Sequence, residues 1–207
     1  MTVPNPNASC TTSAALVFRK PSMNTLEAIH SRRTVHTWVP EPLPPGVLQV
    51  ILEAGHQAPC HRKTWPWRFI VVGPETRERL VPLAAELAAA KAGIVVSDKV
   101  IEKVRAKILN AGGLVAVALK RCDDAFQARE DYAATSCAIQ NMMLAATAAG
   151  LGSKWGTGKL TRHETAWNTL GVDSKREEVV GFLFLGTPAR VPTIERPPLE
   201  HHISRLP

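Results

Sequence analysis

The stretch from about Asp124 to Ala149 constrains this chain more than any other. Ala138, Ile139, Met142, Met143, Ala145 and Ala146 put apolar side chains around so much of a helix's circumference that no surface position suits it. The spacing therefore predicts a long helix at the centre of the fold, stopped by Gly-Leu-Gly at 150–152.

The segments around it supply shorter elements. Asn24 and Glu27 have capping-box spacing and open a helix over "TLEAIHS". Prolines hold the next residues extended, and Pro45 suits the first turn of a second helix whose Leu48, Ile51 and Leu52 share a face. "WRFIVVG" (67–73) and "LVAVALK" (114–120) read as buried strands, separated by two Ala- and Lys-rich helices over about 75–92 and 97–111. After the central helix, "SKWGTG" (153–158) reads as a short extended segment and "TRHETAWNTLGV" (161–172) as a helix capped by Thr161 with Glu164. "EVVGFLFLGTP" (178–188) reads as a further buried strand. Strands and helices do not alternate as βαβ units, so the pattern is α+β.

With 207 residues, 45% of them hydrophobic, the chain can bury one full core, expected over residues 24–207. Residues 1–23, rich in Pro, Asn, Ser and Thr with no acidic residue, read as a mobile extension. No apolar run approaches the roughly 18 residues of a membrane span, and "AALVF" is too short for a secretory signal. Cys10, Cys60, Cys122 and Cys137 are scattered without a C-x-x-C pair, which supports neither a disulfide framework nor a metal site and suits the cytoplasm. The formal charge of +7 favours anionic ligands, or else reflects solvated helix faces.

Several chemistries lack a foothold. "GLGSKWGTG" follows a helix and lacks dinucleotide-fingerprint spacing, there is no P-loop, and neither H-E-x-x-H nor G-x-S-x-G occurs. Cys60 and His61 are adjacent, a poor arrangement for a thiolate and its base. What remains is cationic. Arg32, Arg33 and Thr34 offer two guanidinium forks and a hydroxyl suited to a phosphate monoester, or form an exposed basic helix end. "HQAPCHRKTWPWRF" (56–69) adds His61, Arg62, Lys63, Trp65 and Trp67, either a stacking platform for single-stranded nucleic acid or a packed Pro-Trp corner.

Four segments in the same order, "SRRTVHTW", "APCHRKTWPWRFIVV", "ATSCAIQNMMLAATAAGLGSKW" and "VVGFLFLGTP", resemble the FMN-dependent nitroreductase family over about residues 24–189. The likeness is strongest to its small, minimal NAD(P)H nitroreductase subgroup. The resemblance implies a nitroreductase-like α+β fold: a central, mainly antiparallel sheet flanked by helices, with the long central helix at the interface of a homodimer. It implies a tightly held FMN at that interface, NAD(P)H as cosubstrate, and ping-pong reduction of a small-molecule acceptor such as a nitroaromatic or quinone. No catalytic side chain is implied, because the flavin carries the hydride chemistry.

Residue by residue, the resemblance gives the FMN phosphate to Arg32, Arg33 and Thr34, and flavin contacts to Gln57, His61, Trp155, Gly156 and Thr157. It places the nicotinamide nucleotide along Ala145, Ala146, Thr147, Ala148, Ala149 and Gly150, whose alternative role is close helix packing. Cys60, Lys63, Trp65 and Gly156 depart from the family's pattern; Gly156 stands where the small subgroup has Arg, and Arg190 is the candidate replacement cation. The rival is a non-enzymatic module that binds flavin or, through "RKTWPWR", nucleic acid. The dispersal of the cations makes nucleic acid the less expected partner.

Overall fold

A computed structural model describes residues 23–207, so the extension expected over 1–23, with Cys10, lies outside the described residues apart from Met23. The elements run α1 (Thr25–Ser31), α2 (Val47–His56), β1 (Trp67–Val71), α3 (Pro74–Ala92), α4 (Asp98–Leu109), β2 (Gly113–Lys120), α5 (Ala125–Ala148), β3 (Gly152–Gly156), α6 (Glu164–Leu170) and β4 (Glu177–Gly186). The strands form one antiparallel sheet in the order β1-β2-β4-β3, with a register shift between Val117 and Ala118.

Each face of the sheet carries helices. On one, Val115, Val117, Leu183 and Leu185 pack against Ile51 of α2 and Ile139 and Met142 of α5. Ile139 and Met142 are fully buried, each contributing about 1.5–3 kcal/mol by leaving water. The other face packs Ala116, Phe182 and Phe184 against Leu80 and Val81 of α3, Ile108 of α4 and Leu170 of α6. The dense apolar residues of α5 thus put it in the core, as its sequence requires.

Two helix starts differ from expectation. Pro45 precedes α2 rather than entering its first turn, because Gly46 takes φ 78° and serves as the N-cap, a backbone conformation glycine adopts without strain. Thr161 does not cap α6. Its hydroxyl donates to the Gly158 carbonyl within a short turn over Lys159–Arg162, and His163 Nδ1 caps instead, accepting from the Thr165 amide. The Asn24–Glu27 capping box forms as read, with both hydrogen bonds present.

Candidate functional site

The turn after α1 is held at the sheet's edge. Thr34 pairs with Ser153 in an isolated parallel bridge, and the Val35 amide donates to the Ser153 carbonyl at 3.0 Å. Arg33 Nη1 donates to the carbonyls of His30 and Arg32, which fixes its stem and leaves the rest of the fork free. Burial lowers the Arg32 pKa, and the charges of Arg196 and Arg33 lower it further. Arg196, in the C-terminal segment, is therefore a cation near the turn that its sequence did not single out.

From that turn β3 leads into a cleft of about 390 Å³. Trp155, Gly156 and Thr157 line it along the strand, with Phe182 and Phe184 of β4 as apolar floor and Ala84, Leu87 and Ile108 as helical wall. Among the described residues its charged lining is Lys91, Lys107, Lys154 and Lys159, with no carboxylate. Lys154 Nζ stands 5.9 Å from the Phe184 ring centroid. Burial first, and then the neighbouring Lys107, push the Lys154 pKa down to about 8. His36 joins the same group: burial lowers its pKa, and Lys154 and Lys107 add to the shift. Such a concentration of unneutralised positive charge beside apolar walls suits a flat anionic ligand.

The strand itself is tightly seated. Trp155 lies so close over Gly181 that a Cβ there would overlap its indole. Two buried donors on β3, Ser153 Oγ and Trp155 Nε1, have no hydrogen-bond partner among the described residues. A Cβ at Gly156 would meet Phe184 at 3.4 Å, on the side of the strand where Lys154 lies over the same ring.

The remaining predicted residues gather elsewhere. Gln57 is exposed and lines a shallow groove of about 330 Å³ with Asn141, Ala145 and Ala148. Ala146 is fully buried in the core, and Thr147 donates its hydroxyl to the Met143 carbonyl. His61 sits on the corner before β1, at the opposite edge of the sheet from β3. The corner precedes β1 at one edge of the sheet, whereas the Arg32–Thr34 turn pairs with β3 at the other.

Trp67 is buried and stacks on Phe69 at 6.4 Å and 6°, so the Trp pair is a packed corner with only Trp65 exposed, not a two-ring platform. Among the described residues no group of three His, Cys, Asp or Glu is placed to hold a metal, and no helix is long and apolar enough to cross a membrane. The contributions of His36, Lys107, Lys154 and Arg196 escaped the sequence analysis, because their segments share no local motif and converge only through the fold.

Residues 29–187 match the nitroreductase family. YdjA of Escherichia coli (strain K12), which bears a provisional NAD(P)H nitroreductase name, is 35% identical over 169 residues, 80% of this chain and 89% of its own length. A nitroreductase-like protein from Bacillus cereus superposes with a TM-score of 0.75 at 25% identity, covering 89% of this chain and 96% of that one. A nitroreductase with bound FMN from Bacteroides fragilis NCTC 9343 superposes with a TM-score of 0.67 at 26% identity, covering 90% of this chain and 100% of that one. This chain, with its antiparallel α+β sheet and edge-held turn, belongs to the nitroreductase family, a family of oxidoreductases.

Proposed function

We propose that residues 24–207 form an FMN-dependent NAD(P)H oxidoreductase that works as a homodimer and reduces a small acceptor, a nitroaromatic or a quinone, by a ping-pong mechanism. The observation that carries this is the Thr34–Ser153 bridge, which sets the Arg32–Thr34 turn beside the strand whose next residues line a lysine-bearing cleft. The donor set fits the cofactor: guanidinium forks for a phosphate monoester, and lysines with an imidazole for a ring that gains negative charge on reduction.

When bound, FMN would supply the hydride chemistry, taking a hydride from NAD(P)H and passing reducing equivalents to the acceptor. The chain's part is to bind, orient and polarise. Arg32 and Arg33, with Thr34 and Arg196, would hold the phosphate. Lys107, Lys154 and His36 would stabilise negative charge as it grows on reduction, in a cleft whose apolar floor strengthens each interaction. Trp155, Gly156 and Thr157 would carry the ring along β3, where Trp155 is already fixed over Gly181.

The two-chain site rests on the resemblance to the family, by which His61, at the opposite sheet edge from the turn, would meet the flavin of a partner. Ala133, Cys137 and Gln140, exposed along α5, offer a helix face that a second copy would cover. Val191, Ile194, Leu199 and Ile203 of the C-terminal segment are exposed as well and suit the same role. Gln57, Ala145 and Ala148 share a groove on that side, which supports nucleotide contacts there from the exposed members of 145–150 and not from Ala146. A reducing cytoplasm suits the free Cys60, Cys122 and Cys137.

FMN titration followed by quenching of flavin fluorescence tests the assignment. Saturation at one FMN per chain, with loss of binding in Arg33→Ala, supports it; unchanged binding in that variant rejects the phosphate role of the turn.

A further inference from the structure

Arg62, Lys63 and Trp65 take φ values of 57°, 54° and 44°, three non-glycine residues in the left-handed region within four positions. Each such residue costs on the order of 1 kcal/mol, so the conformation persists only where its surroundings over-determine it. The local ring packing of Trp65 against His56 and Trp67, with centroids 6.1 and 6.0 Å apart, contributes some of that constraint. The rest comes from a line of hydrogen bonds running from the corner into α5.

The Trp65 amide donates to Cys60 Sγ at 3.3 Å. Cys60 Sγ lies 3.2 Å from Thr64 Oγ1, closer than its 3.7 Å to the His61 carbonyl. Thr64 Oγ1 donates in turn to Asp131 Oδ1 at 2.6 Å. That last bond sets the direction of the line: the threonine proton is committed to the carboxylate, so the thiol donates to the hydroxyl and accepts from the amide. Asp131 is itself 5% exposed and receives Gln127 Nε2 at 2.8 Å on the same oxygen. The end of the line is thus a fixed, buried acceptor on the central helix.

We infer that Asp131 is a positioning residue, which through Thr64 and Cys60 holds the left-handed corner and so sets where His61 and Trp65 stand relative to the flavin site of the partner. The role in the reaction rests on the two-chain reading above; the holding of the corner does not. Nothing in the line requires a particular redox step. It requires only that one proton point along each bond, so a hydroxyl can replace the thiol whereas a methyl group cannot.

The experiment reads both levels in the full-length protein. Hydrogen exchange across residues 60–66 is measured for the wild type, Asp131→Ala, Thr64→Val, Cys60→Ala and Cys60→Ser, alongside FMN content and the kinetics of NADPH-dependent reduction of a quinone. Asp131→Ala, Thr64→Val and Cys60→Ala are expected to speed exchange about tenfold at the corner while α6 and the sheet keep their protection. The same variants are expected to lower kcat/KM about tenfold with FMN retained, and Cys60→Ser to restore both. Thr64→Val and Cys60→Ala guard against a general folding defect in Asp131→Ala. Unchanged exchange in all three breaking variants overturns the holding role. Faster exchange with unchanged kcat/KM overturns the positioning role. A wild type without flavin, showing the same exchange pattern, overturns the flavin reading and leaves the holding role standing.

Discussion

Thr34 and Ser153 form one isolated parallel bridge, and through that pairing the Arg32–Thr34 turn is fixed against the strand that bears Lys154, Trp155 and Gly156. One bridge thus sets two cation-bearing segments, distant in sequence, side by side.

The turn's two outer cations should differ in weight. Arg33, already oriented by the His30 and Arg32 carbonyls, needs little further ordering to bind a phosphate. Arg33→Ala should purify largely free of flavin, whereas Arg196→Ala should weaken FMN binding by about 10-fold, the loss of one charge-assisted hydrogen bond. Bound flavin measured by absorbance after gel filtration checks both.

Lys154 should give the cleft a pH signature. With its pKa lowered from 10.5 to about 8, the folded state disfavours the ammonium more than the unfolded chain does. Between about 8 and 10.5 the unfolded state holds the proton that the folded state has released, so stability rises with pH across that window and is flat in this respect below it. Urea unfolding of flavin-free protein at pH 7 and pH 9.5 should show a larger gain for the wild type than for Lys154→Met. FMN affinity should move oppositely, falling above pH 8 in the wild type and less so in the variant.

Gly181 should be intolerant of any side chain. An added methyl overlaps the Trp155 indole, and overpacking of this kind costs about 1–3 kcal/mol. Gly181→Ala should lower the Tm by roughly 3–10 °C, and Trp155→Leu in the same chain should recover part of it. Calorimetry decides; an unchanged Tm in Gly181→Ala would show that Trp155 is not held there.

The exposed stripe of α5 should be the dimer's seam. In the proposed homodimer Ala133→Glu would add a charge to each copy of that face, and it should yield monomers by analytical ultracentrifugation with FMN affinity reduced at least tenfold. A dimeric variant with normal flavin content would move the interface elsewhere.

The parts of this fold that were legible in the sequence are those with strong periodicity. β2 and β4 bury almost every residue, and α5 buries a broad apolar face, so their patterns leave few alternatives. The start of α6 was misjudged because a short turn captured the Thr161 hydroxyl before the helix began. The left-handed corner carries no glycine to announce it, and its conformation depends on Asp131, far away in sequence. Within the site, the Arg32–Thr34 turn and the Trp155–Thr157 segment could be read from local chemistry and family resemblance. Lys107, Lys154 and His36 could not, since a helix, a strand and a loop bring them together only after folding. Arg196 sits in a segment without helix or strand periodicity, so no local pattern points to it.

In the proposed function the cleft along β3 holds a flavin that NAD(P)H reduces. The visible spectrum of the purified protein, reconstituted with FMN and titrated with NADPH without oxygen, tests it most directly. Flavin absorption that stays with the protein through gel filtration and bleaches on NADPH is the expected result. A protein that remains colourless after incubation with FMN, or a bound flavin that NADPH leaves oxidised, would contradict it.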